Sequence, residues 1–107
     1  MPVVGVHRYE LSQPQKEQLE LRASQGDPEA LHRLALYHEM ILLDQDKSTA
    51  LLRDAAQRGH LKSQTRLGVI LLRAGTAEQR EEGLSLLRKA AAAGDQHAAD
   101  VLESESR

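Results

Sequence analysis

The chain is 107 residues long, 40% hydrophobic, and carries 14 basic against 16 acidic side chains for a formal net charge of −2. That length fits one domain burying roughly 60–68% of its unfolded surface, and the charge balance withholds the basic surface that nucleic-acid binding normally needs. Cysteine is absent, which excludes disulfides and thiolate chemistry.

Residues 1–11 carry no helical period, and Val3, Val4 and Val6 suit either a short extended segment or a flexible tail. Ser12 with Gln15 reads as a capping box, and Pro14 is tolerated where first-turn N–H groups need no intrahelical acceptor. A helix over about 13–25 follows, with Leu19 and Ala23 on one face. Gly26 then stops that helix, Asp27 caps the next, and Pro28 opens it over about 28–42. A turn around Leu43 and Asp44 leads to a helix over about 45–58, capped by Asp44 and ended by Gly59. The next runs over about 61–73 until Ala74 and Gly75 break it. Thr76 with Gln79 is a second capping box, opening a helix to about 93 that ends at Gly94. A last helix over about 96–104 frays toward Arg107. Gly83 lies inside a helix at a cost of about 1 kcal/mol relative to Ala; it marks either a close helix crossing or a tolerated surface flaw.

This is an all-α chain of about six antiparallel helices, two full pairs plus a flanking half-pair on each side. The expected domain spans 12–107, after an N-terminal extension at 1–11. Gly26, Gly59 and Gly94 stand 33 and 35 residues apart. A small residue precedes each (Ala23, Ala56, Ala91), another follows (Ala30, Ser63, Ala98), and a Leu comes later (Leu34, Leu67, Leu102). Leu19, Leu52 and Leu87 keep the same register in the second helix of each pair. Such a period calls for stacked helical pairs.

Ala56 through Gly94, including Leu67–Gly68 and the run Lys89-Ala90-Ala91-Ala92-Ala93-Gly94, resembles the Sel-one-like repeat, a branch of the tetratricopeptide-like helical repeats. The resemblance covers roughly residues 20–102. The first unit is looser, with Ala35 where that family prefers Gly, but it keeps an aromatic at Tyr37. The middle loops lack the family's Gly-x-Gly-Val stretch, and leucines (Leu51 or Leu52, Leu86 or Leu87) stand where an aromatic often precedes the closing segment. The resemblance implies an alpha-alpha superhelix that acts as a protein-interaction scaffold or adaptor, in bacteria often within secretion, envelope or signalling assemblies. It implies no enzymatic role.

On the first helix of each pair, Ala30, Leu34, Tyr37 and Ile41 form one stripe, echoed by Ser63, Leu67 and Ile70. Apolar side chains three and four apart share a face that must be covered, so these are core positions. A second stripe holds Glu29, Arg33, Leu36 and Met40, matched by Lys62, Arg66, Val69 and Arg73. First helices line the concave side of tetratricopeptide-like stacks, which would turn this stripe toward a groove. Arg33, Leu36, Met40, Lys62, Arg66, Val69 and Arg73 are therefore the candidate protein-binding residues. Arginines at repeated positions can clamp carboxylates or peptide backbone. The plainer reading has Arg33 and Arg66 solvated, or paired with Glu29 or Glu39. Leu36 through Leu43 is also apolar beyond what one covered side can hide. Either the N-terminal segment or a partner covers it, and a homodimer is one such partner, because short arrays expose their terminal faces.

Catalytic and metal chemistry find little support. His32 and His38 are six apart on different faces, while His60 and His97 sit near repeat turns where a surface role is expected. Adjacent Tyr37, His38 and Glu39 point in different directions. No Ser lies in a nucleophile elbow and no glycine-rich phosphate loop occurs. A non-enzymatic protein-interaction module, without cofactor, nucleic acid or membrane insertion, is the expectation. The alternative class is a regulatory or protective protein (an inhibitor, immunity protein or secretion chaperone) that occludes one partner. No membrane-length apolar run or secretory signal occurs, so the expected compartment is the cytoplasm. A mature chain stripped of its signal would read the same, which leaves the periplasm open.

Overall fold

Each helix starts where a side chain takes up N–H groups that have no carbonyl one turn back. The computed structural model describes residues 11–106, so the expected extension at 1–11 lies, apart from Leu11, outside the described residues. Ser12 Oγ accepts the Gln15 N–H at 3.3 Å while Gln15 Oε1 accepts the Ser12 N–H at 2.9 Å. Asp27 Oδ1 accepts the Glu29 N–H at 3.0 Å with Pro28 next to it, and its Oδ2 accepts two bonds from the Arg22 guanidinium. Asp44, Thr76 and Asp95 cap later helices in the same way. The second capping box differs from expectation: the Thr76 hydroxyl donates to Gln79 Oε1, engaging the oxygen that would otherwise accept the Thr76 N–H.

The result is six helices: α1 Gln13–Ser24, α2 Pro28–Met40, α3 Gln45–Gln57, α4 Leu61–Leu72, α5 Ala77–Ala92 and α6 Gln96–Glu105. Among the described residues there is no strand. Three helix ends are alike. Gly26, Gly59 and Gly94 have φ of 85°, 88° and 103°, and the next residue's N–H returns to a carbonyl five back: Asp27 to Arg22, His60 to Ala55, Asp95 to Ala90, at 3.0–3.1 Å. The end of α2 departs from this pattern and comes at Met40 rather than 42. There the Leu42 N–H reaches Tyr37 and the Asp44 N–H reaches His38, widening the last turn.

Packing is sequential, with α2–α3 and α4–α5 forming the closest pairs and α1 and α6 flanking them. The radius of gyration, 15.0 Å, exceeds the roughly 13 Å of a rounded domain this size, as a short stack requires. Leu52 with Ala35, Ala56, Leu67 and Leu71 forms the central core, flanked by Leu19–Ala30–Leu34 and Leu72–Leu87–Ala90–Ala98. The expected core stripe is fully buried at Ala30, Leu34, Ser63 and Leu67 and only half-buried at Tyr37, Ile41 and Ile70. Tyr37 lies at the edge, its ring under Lys16 Nζ at 5.4 Å.

The role of Gly83 is resolved. It is buried, and a Cβ there would lie 2.6 Å from the Gly68 carbonyl oxygen and 2.7 Å from the Leu72 nitrogen. Gly68 and Gly83 let the backbones of α4 and α5 approach where the first pair carries Ala35 and Ser48, both fully buried. The opposite substitution pattern appears at the α2–α3 turn. Gly75, with φ 105°, precedes the Thr76 cap; the matching residue before Asp44 is Leu43, with φ 55° and 82% exposure.

Two stability changes of opposite sign follow. Gly83→Ala, which would stabilise a free helix by about 1 kcal/mol, should destabilise this protein by about 1–3 kcal/mol because backbone atoms cannot move aside. Leu43→Gly should instead stabilise it by about 1 kcal/mol through relief of the left-handed strain. Urea unfolding at constant m-value measures both.

Candidate protein-binding groove

Helices α2, α4 and α6 lie along one side of the stack and enclose a cavity of about 430 Å³. Of the sequence candidates, Lys62, Arg66, Val69 and Arg73 line it, whereas Arg33, Leu36 and Met40 are not among its lining residues. Val69 also packs on the Leu72–Leu87 cluster, which fixes the cavity's apolar patch. Arg33 is exposed on α2; Leu36 and Met40 are half-buried.

The repeated arginines have different fates. Arg66 forks onto Glu39, with Nε to Oε1 at 3.1 Å and Nη2 to Oε2 at 2.7 Å, and so ties α4 to α2. Arg33, Lys62 and Arg73 make no salt bridge among the described residues. Two cations at the groove, Lys62 and Arg73, thus stand outside any salt bridge among the described residues, while the arginine between them is committed to the scaffold.

A second joint was not visible in the sequence. His32 Nδ1 lies 2.9 Å from Ser63 Oγ, and Ser63 Oγ lies 2.8 Å from His60 Nδ1. His60 Nε2 meets Glu29 Oε1 at 2.9 Å, and the two imidazoles sit 4.9 Å apart. The expected surface role of His60 is corrected: its side chain is only 15% exposed, because it occupies the N-cap of α4 and accepts the Ser63 N–H there. His97 is exposed and lines the groove. The clue lay in the repeat itself, since Ser63 replaces the alanines at 30 and 98 and His60 replaces the aspartates at 27 and 95. In the following repeat Thr65 Oγ1 donates to Asp95 Oδ2 at 2.7 Å, joining α4 to the cap of α6.

Electrostatics follow from these contacts. The hydrogen bond from His60 holds the Glu29 carboxyl below its usual value against the opposing effect of burial. Burial works against charge on Asp95, yet the bonds from Thr65 and the Ala98 amide outweigh it and lower its pKa. Burial, then the neighbouring His60, pushes His32 down to about 4. Ser63 is fully buried, so this Ser–His contact reaches no substrate. Among the described residues no group of three His, Cys, Asp or Glu is placed to hold a metal ion, and no helix is long and apolar enough to cross a membrane.

A family model described as plant tetratrico peptide repeats matches residues 6–99. The chain belongs to this family. No curated protein and no solved structure matches it. In this tetratricopeptide-like chain the groove lies against the first helices of the two pairs and the α6 half-pair.

The depressed His32 pKa has a stability consequence. The unfolded chain takes up a proton near 6.5 and the folded chain near 4, so stability is complete above pH 6.5 and falls as pH drops toward 4. Urea midpoints across that window should fall less steeply for His32→Gln than for the parent protein.

Proposed function

We propose that the chain is a protein-interaction module of the Sel-one-like branch, acting as an adaptor whose α2–α4–α6 groove takes an extended acidic segment of a partner protein. The observation that carries this reading is the cavity flanked by Lys62 and Arg73, neither in a salt bridge among the described residues, with Val69 and Ile70 supplying apolar contact. A rigid groove orders a bound segment at little cost to itself. Opposite charge speeds encounter and rejects basic segments. Ala56 through Gly94 and the matched helix ends at Gly26, Gly59 and Gly94 support the branch assignment.

A second reading draws on Leu43. An 82% exposed leucine held at φ 55°, beside a 45% exposed Leu42, serves neither solvation nor backbone. A regulatory or protective protein that occludes one partner, or a second copy of this chain, would use such an end surface.

Fluorescence polarisation with acidic, neutral and basic decapeptides separates these readings. The acidic peptide should bind best, with affinity falling as salt rises. Lys62→Glu combined with Arg73→Glu should weaken it roughly tenfold or more, since each exposed ion pair contributes up to about 1 kcal/mol. Equal binding of all three peptides, or a double variant that binds as well as the parent, would exclude the acidic-groove reading. Arg66→Glu is unsuitable here, because it would set two carboxylates against each other at Glu39.

A further inference from the structure

We propose that His32 is the specificity-determining acceptor of the groove, and that the hydrogen-bond chain through Ser63, His60 and Glu29 fixes the tautomer in which it accepts. The ligand half of this inference rests on the acidic-groove reading; the tautomer is a property of the free protein.

Two ends of the chain fix its direction. The Ser63 backbone N–H can only donate, so His60 Nδ1 is bare. The ionised Glu29 carboxylate can only accept, so His60 Nε2 carries the proton it receives. The Ser63 hydroxyl then donates its one proton to His60 Nδ1, and Ser63 Oγ accepts from His32 Nδ1–H. His32 Nε2 is left as a lone pair. The residue is 7% exposed, lines the cavity, and makes no second hydrogen bond among the described residues. An acceptor on a largely buried ring that lines the groove with Lys62 suits a segment that offers an N–H or O–H donor next to a carboxylate. A ligand without the donor leaves that nitrogen unpaired.

Packing does not call for these residue types. Alanine fills the Ser63 position in both other repeats, and aspartate caps the other two first helices. The first joint therefore holds a titratable chain where plainer side chains serve elsewhere.

Long-range ¹H–¹⁵N spectra of the histidine rings, taken on the free full-length protein at pH 8, read the tautomers directly. His32 should carry its proton on Nδ1, and in Ser63→Ala, which removes the acceptor of that proton, the Nε2–H tautomer should predominate. A His32 Nε2–H tautomer in the parent, or an Nδ1–H tautomer that persists in Ser63→Ala, overturns the tautomer assignment. An oligo-glutamate peptide should bind Ser63→Ala about tenfold more weakly than the parent. Equal affinity overturns His32 as the reading group. Lack of oligo-glutamate binding to the parent overturns the groove reading and its ligand, while the spectra still decide the tautomer.

Discussion

The stack depends on a left-handed residue directly before the N-cap of every helix after the first. Connections of only three or four residues reverse the chain five times, and a right-handed residue at those points would carry the next helix away from its neighbour. Glycine takes that conformation without a Cβ penalty at four of the five turns. At three of those four the returning N–H of the next residue closes the old helix, and that same residue caps the new one. Termination and initiation are thus one local event, repeated at Gly26, Gly59 and Gly94, and the helix pairs inherit a common geometry from it.

Within a pair and between pairs, different forces act. Inside α4–α5 the glycines at 68 and 83 bring the backbones close enough for dense apolar contact around Leu87. Between pairs, polar links recur: Arg66 with Glu39, His60 with Glu29, Thr65 with Asp95, and Arg53 with Glu82. Half-exposed ion pairs contribute little to stability. Their geometry, above all the Arg66 fork, instead fixes how far one first helix slides along the next. That offset gives the groove its width, so the links act on function through register.

Helix number, order and ends were legible in the sequence because each depends on one or two neighbouring residues, such as Gly26 with Asp27 or Ser12 with Gln15. The candidate site was legible only in part. Lys62, Arg66, Val69 and Arg73 share a helix and therefore a face, and they do line one cavity. Whether Arg66 met a ligand or Glu39 depended on the spacing between α2 and α4, which no periodicity encodes. The same holds for Gly83, which a sequence reads equally as flaw or crossing until a partner backbone lies beside it. The histidine chain escaped notice because its members were weighed singly, as possible ligands or surface residues, although two of the four break the repeat.

Those breaks are concentrated in the first pair and its joint with the second. Aspartate at a cap accepts two amides at Asp27, whereas His60 accepts one, at 3.3 Å. Glycine at the α4 end relaxes the turn that Leu43 strains. Each departure replaces a side chain that serves folding better with one that serves it worse, and each does so where a groove or an exposed end is formed. A repeat tolerates such losses because its stability is spread over similar units and their interfaces. The second pair, with its close glycine crossing and its glycine turn at Gly75, can hold the stack together while the first pair diverges. The regular repeats therefore account for the fold, and the irregular residues His60, Ser63 and Leu43 mark where this chain departs from what folding alone would select.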